Sequence, residues 1–318
     1  MSPAKETSHL AQSEKFLKKL KSVCKKCSPA SIAVYRRNIL RLWRLVNKEG
    51  PIPLTGEWLK KSTLLEKLKG TPLKTRRHLS VALVKAGQTY NSSKDLQETF
   101  SAQMYKDANA YQVERNKNKK SPTEEKKWPK HGIKSVKNAA RDLMKRVRLL
   151  GKEPSMKTLY RYQMALLLRL YSEIPFRNTF ATFDLKKKDN NNYLDIPKRG
   201  KIRLIVRKHK SADKIGPKTV ELSRGAAMFL RKFLKYRATV VDNDYLLNTM
   251  QKKKMSRSAL GKALHRVTGE LLGKKFGSRL IRVLAATAER STLLKAQELG
   301  NRMLHSSNSK QTLEYSRK

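Results

Sequence analysis

Nine residues with useful chemistry follow one another through the C-terminal half of the chain: Arg177, Lys208, Lys210, Lys214, Lys218, Arg279, Arg282, His305 and Tyr315. Arg177 lies in Ile174-Pro175-Phe176-Arg177-Asn178. The lysines occupy a run between two strand-like stretches. Arg279-Leu280-Ile281-Arg282 stands near a helix start, and His305 sits in Met303-Leu304-His305-Ser306-Ser307, ten residues before Tyr315. These types suit attack on a phosphodiester. Negative charge builds on the non-bridging oxygens, so fixed guanidiniums are worth most in the transition state. Arginine grips phosphate oxygens as a planar fork and stays charged, which makes Arg177 and Arg282 the expected clamps. Arg279 lies one helical turn before Arg282, and two such arginines repel unless an anion lies between them. Tyr315 would be the nucleophile, since no tyrosine lies between Tyr245 and Tyr315. With an ordinary pKa of about 10, it needs a cationic pocket or a base to attack near neutrality.

Composition points to the same substrate. The 318 residues hold 73 Lys and Arg against 25 Asp and Glu, a formal net charge of +48. A compact chain carrying that charge repels itself, and a polyanion whose counterions it releases is the natural compensation. No apolar run is long enough to span a bilayer, and residues 1–21 hold no signal-peptide core, so no membrane partner is expected. Other chemistries find little support. There is no GxxxxGK[ST], no HExxH and no metal-spaced His/Cys set. Asp184, Asp189 and Asp195 could be forced into an acidic metal triad, but their Lys- and Asn-rich surroundings read as loop. Cys24 and Cys27 are half of a structural zinc site at best, which needs about four ligands. They read as two reduced thiols, suited to an intracellular compartment wherever the target DNA is: nucleus, viral replication site or cytoplasm. No cofactor is expected.

The elements that must position these residues fall into two helical domains. Residues 1–27 read as a basic flexible arm, 28–114 as a helical DNA-binding domain, 115–127 as a charged linker and 128–318 as a second domain. In the first, Ser28-Pro29 opens a helix with Ile32, Tyr35, Ile39, Leu42, Trp43 and Val46 at helical spacing, ending at Gly50-Pro51. Helices over Glu57–Lys69, Leu73–Tyr90 and Ser93–Glu114 follow. Arg36 and Arg37 on the first helix, and Lys74, Arg76 and Arg77 on the Leu73–Tyr90 helix, are expected to face outward and hold DNA phosphates. In the second, the pattern gives helices over Ile133–Leu150 and Met156–Glu173. Strands are expected at Tyr193–Ile196, Ile202–Arg207 and Thr219–Leu222. Helices then cover Arg224–Arg237, Ser256–Gly273, Ser278–Glu289 and Thr292–Leu299, with one more at Lys310–Tyr315. The expected fold is mainly α with a small antiparallel sheet, forming a two-domain clamp.

The order of these motifs resembles the catalytic domain of the tyrosine recombinase (phage-integrase-like) family. That pattern has an arginine after the second helix, a lysine in a β-hairpin, a basic-x-x-Arg pair, a His in a Leu/Met-Gly-His-like turn and a late tyrosine. The resemblance covers roughly residues 130–318. More weakly, residues 28–114 resemble the family's core-binding domain. The stretch Lys119–Trp128 is similar to recombinases of large DNA viruses and virophages. The resemblance implies a site-specific recombinase or integrase acting through a covalent 3′-phosphotyrosine at Tyr315, without metal or ATP, on double-stranded DNA, as a homotetramer during synapsis. It implies that His305 binds a phosphate oxygen or assists proton transfer. It further implies that a hairpin lysine protonates the leaving 5′ oxygen. Lys210, at the strand end, is favoured for this, with Lys208 and Lys214 as rivals that otherwise bind DNA. Two departures stand out. Arg279 replaces the family's usual His or Lys, and only Ser316, Arg317 and Lys318 follow the tyrosine where many relatives carry a further helix. Two other readings share the same surface chemistry: a type IB topoisomerase, and a non-catalytic basic DNA-binding protein with the same fold.

Overall fold

The computed structural model describes residues 14–302, apart from 48–49, 118, 150–152, 189, 198 and 210–211. It divides into two compact units, the residues up to 119 and those from 120.

The first unit is helical: α1 (residues 14–23), α2 (Pro29–Val46), a 3-10 turn at Glu57–Lys60, α3 (Ser62–Lys69), α4 (Leu73–Thr89) and α5 (Lys94–Asn116). Ser28 caps α2 by accepting from the Ser31 amide at 3.2 Å, and Pro29 occupies its first turn, where no amide hydrogen is needed. Ile32, Ile39 and Leu42 bury one face of α2 against α4. Phe16, Trp43, Trp58 and Tyr90 form a chain of aromatic contacts with centroids 5.6–6.2 Å apart. The expected arm over residues 1–27 is therefore corrected for its second half. Phe16, Leu20 and Cys24 recur every fourth position, and their burial seats α1 on the core. Cys24 is a buried core residue, and both cysteines are unbridged thiols.

The expected linker is also partly ordered. Helix α5 runs on to Asn116, and α6 (Pro122–Lys127) starts with a reciprocal cap. The Ser121 hydroxyl accepts from the Glu124 amide, while the Glu124 carboxylate accepts from the Ser121 amide.

The second unit contains α7 (Ile133–Leu149), α8 (Met156–Glu173), a 3-10 turn (Asn178–Thr182), β1 (Phe183–Asp184), β2 (Asn192–Asp195) and β3 (Arg203–Val206). It continues with α9 (Ala212–Ile215), β4 (Lys218–Glu221), α10 (Arg224–Ala238), α11 (Arg257–Leu272), α12 (Ser278–Ala288) and α13 (Arg290–Arg302). Helix α8 is the central beam. Its Leu159, Met164–Leu168, Leu170 and Tyr171 are buried on nearly every side, between α7 and α10. The sheet order is β1-β2-β3-β4. β2, β3 and β4 are antiparallel, as the sequence suggests, with Leu194 opposite Leu204 and Leu204 opposite Val220. β1 adds a parallel pair to β2, so the sheet is mixed rather than purely antiparallel. Two residues carry too little alternation to announce a strand. The fold is mainly α with a small four-stranded sheet.

Candidate active site

Helix α8 ends where Pro175 forbids continuation, and the chain turns sharply through Phe176 into Arg177. The buried Tyr171 hydroxyl donates to the Arg177 carbonyl at 3.0 Å, and Tyr171 packs edge-on against Phe180 at 4.9 Å. This fixes the backbone of Arg177 while its side chain stays exposed. Asn178 then ties this corner to two other elements. Its amide nitrogen donates to the Arg257 carbonyl at the start of α11 (2.9 Å), and its oxygen accepts from the Ser278 hydroxyl in the first turn of α12 (2.7 Å). Arg282 lies one turn further along α12. Two side chains far apart in sequence thus share one mechanical anchor.

They meet in an open cleft of ≈ 290 Å³, whose polar lining is Arg177, Thr179, His209, Lys218 and Arg282 and whose apolar lining includes Phe176 and Val206. β3 and β4 deliver His209 and Lys218 from the hairpin that bends through α9. Arg177, Lys218 and Arg282 have no acidic partner among the described residues. Three unneutralised cations around one concavity repel each other, and an anion entering it relieves that repulsion. The dimensions and charge suit a phosphodiester. Among the described residues, no group of His, Cys, Asp or Glu could hold a metal ion.

The other expected site residues divide into three groups. Lys210, His305 and Tyr315 lie outside the described residues. Arg279, on α12 with Arg282, does not line the cleft; its side chain is exposed and stands 3.8 Å from Glu124 of α6. Residues three apart on a helix differ in direction by about 60°, enough for long side chains to diverge. Lys208 is exposed at the end of β3, its backbone gripped on both sides by Asn192. Lys214 belongs to α9.

In the first unit, Arg36, Arg37 and Lys74 are exposed, and Arg77 stacks over the Tyr111 ring at 4.1 Å. Arg76 corrects the expectation of an outward phosphate contact. Its guanidinium donates to the buried Asp107 carboxylate at 2.8 Å and to the Lys69 carbonyl, locking α4 to α5. Ser80 donates to the other Asp107 oxygen.

Of the three aspartates considered for a metal triad, Asp184 pairs with Lys254 and Asp195 with Arg203; Asp189 is outside the described residues. No described helix is long and apolar enough to cross a membrane. Sequence reasoning missed His209. It stands in a lysine-rich run with nothing to single it out, and only the hairpin geometry brings it to the cleft.

No family model and no curated protein matches the sequence. Among solved structures, the chain is similar to the crystal structure of the XerH site-specific recombinase bound to difH substrate in a pre-cleavage complex. The two share 16% identity over 98% of this chain and 87% of that chain, with a TM-score of 0.49.

Proposed function

We propose that this chain is a DNA strand transferase of the tyrosine recombinase type, cutting and rejoining double-stranded DNA through Tyr315. The observation that carries the reading is the cleft lined by Arg177, Lys218 and Arg282, which have no acidic partner among the described residues. The net charge of +48 supports a nucleic acid as the anion.

In the proposed reaction the phenolic oxygen of Tyr315 attacks phosphorus. A phosphorus–tyrosyl oxygen bond forms and the bond to the 5′ oxygen breaks. Arg177 and Arg282 hold the non-bridging oxygens where charge grows. The phenol's proton passes to His305 or to solvent. A lysine, Lys210 as the sequence favours, gives a proton to the leaving 5′ oxygen. The 3′-phosphotyrosyl ester conserves the bond energy, so attack by a 5′ hydroxyl rejoins strands without ATP or metal. Recombination by this route places a homotetramer on paired DNA sites, and integration of a mobile or viral genome is its natural setting.

The test separates cleavage from binding. Arg177→Ala and Arg282→Ala are each expected to lower covalent adduct formation on nicked DNA by roughly 10²–10³-fold, the usual cost of one preorganised anion donor. DNA affinity should fall much less, because each is one contact among many. Equal losses in both quantities would mean that these arginines merely hold DNA.

A further inference from the structure

We propose that Cys24 and Cys27 form a redox switch in the first unit, closing under oxidation into a disulfide that staples α1 to the start of α2. The inference stands apart from the strand-transfer reading and does not depend on it.

The backbone already brings the two residues together. α1 ends in a turn whose Cys27 amide donates to the Cys24 carbonyl at 2.9 Å. Such a turn holds its end Cα atoms within about 7 Å, and a disulfide spans about 4.4–6.8 Å between Cα atoms. The side chains meet as well, through a hydrogen bond between the two thiols. Both neighbouring helices reach the pair. Tyr35 of α2 packs on the same core, and its phenol is held above its ordinary range by burial and by the charge that Cys27 and Cys24 acquire. The Lys85 ammonium of α4 lies near Cys24.

The two cysteines differ in what can reach them. Cys27 is half-exposed, with Lys25 and Lys26 exposed before it, whereas Cys24 is 3% exposed. A small disulfide from solution, such as oxidised glutathione, therefore meets Cys27 first, and the two lysines suit its carboxylates. The Cys27 thiolate attacks one sulfur, a mixed disulfide forms, and one glutathione thiolate leaves. The Cys24 sulfur, giving its proton to solvent, then attacks the Cys27 sulfur and expels the second glutathione. Two protein thiols are oxidised, and one glutathione disulfide is reduced to two thiols. In the reduced chain α1 is held by the side chains it buries, Phe16, Leu20 and Cys24. In the oxidised chain the turn is also covalently closed, which restricts the undocked state more than the docked one.

The test uses the full chain, equilibrated at neutral pH in glutathione buffers of stepped thiol-to-disulfide ratio. Samples are quenched in acid, alkylated and read by mass spectrometry. Wild type should lose two hydrogens to an intramolecular Cys24–Cys27 link, with no cross-linked dimer on a non-reducing gel. Cys24→Ala should stop at a glutathione adduct on Cys27. Cys27→Ser should take up glutathione more than roughly tenfold more slowly than Cys24→Ala, since its remaining thiol is buried. The second readout is amide hydrogen exchange over residues 14–23. It should slow by roughly tenfold when wild type is oxidised, the order expected for closing a short loop, and should not slow in Cys24→Ala under the same buffers.

A wild-type chain that stops at the mixed disulfide, cross-links to a second copy, or closes the bond only after denaturation would overturn the proposal. So would a closed disulfide that leaves exchange over residues 14–23 unchanged, because the bond would then staple nothing. Both readouts are taken on wild type, so they decide the matter even if Cys24→Ala loosens α1.

Discussion

Asn178→Ala removes no charge and no side chain that lines the cleft, yet it should slow catalysis. Its amide holds the Arg177 corner against α11 through Arg257 and against α12 through Ser278, at 2.9 and 2.7 Å. Deleting it forfeits two hydrogen bonds, worth together about 1–3 kcal/mol of stability at the usual net value for each. The catalytic cost has a different origin. Arg177 and Arg282 sit on separate elements, and a shift of about 1 Å in catalytic geometry costs on the order of 10²-fold in rate.

The expected result is a drop of roughly 10–100-fold in single-turnover adduct formation, with DNA affinity within about threefold of wild type. Urea unfolding would report the stability loss separately. Ser278→Ala cuts one of the same two bonds, so the double variant should be less impaired than the two single losses combined, with a coupling of about 0.5–3 kcal/mol. If Asn178→Ala loses stability but cleaves at the wild-type rate, the shared anchor does not set the arginine spacing and that argument fails.

Two further outcomes test the first unit. Asp107→Ala should destabilise it by about 3 kcal/mol in urea unfolding, since it leaves the Arg76 guanidinium between α4 and α5 without its carboxylate. A loss near zero would mean that the network contributes nothing net. Cys24 should react with iodoacetamide far more slowly than Cys27 in the native protein. Burial raises the Cys24 thiol pKa, with a further rise from its hydrogen bond to Cys27, so little thiolate forms at neutral pH, whereas Cys27 is half-exposed. Mass spectrometry of the alkylated chain checks this, and equal rates would show that α1 does not stay docked.

Strong periodicity made α2, α4, α7 and α8 readable from sequence, and β2, β3 and β4 begin and end within one residue of expectation. What escaped was whatever depended on a distant partner. Phe16, Leu20 and Cys24 have helical spacing, but the surrounding lysines dilute the hydrophobic signal, so α1 looked like solvated arm. Arg76 resembled any outward arginine until Asp107, 31 positions away, proved to be its partner. Ser121-x-x-Glu124 is a helix-start signature that the charged run concealed.

The same division holds at the candidate site. Arg177 stood out because an apolar helix ends just before it, and Arg282 because it was expected to face Arg279 one turn earlier; the cleft is lined by both arginines but not by Arg279. That both reach one cleft, that Arg279 turns to Glu124, and that His209 joins them are consequences of how the hairpin and α12 pack.

The central claim is a covalent link through Tyr315, and trapping tests it most directly. Suicide DNA substrates, duplexes each carrying a nick close to a candidate cleavage point, would be incubated with wild type and with Tyr315→Phe. An adduct that survives denaturant with wild type and is absent with phenylalanine is the predicted result. Equal adduct in both, or none in either while DNA binding stays intact, would contradict it.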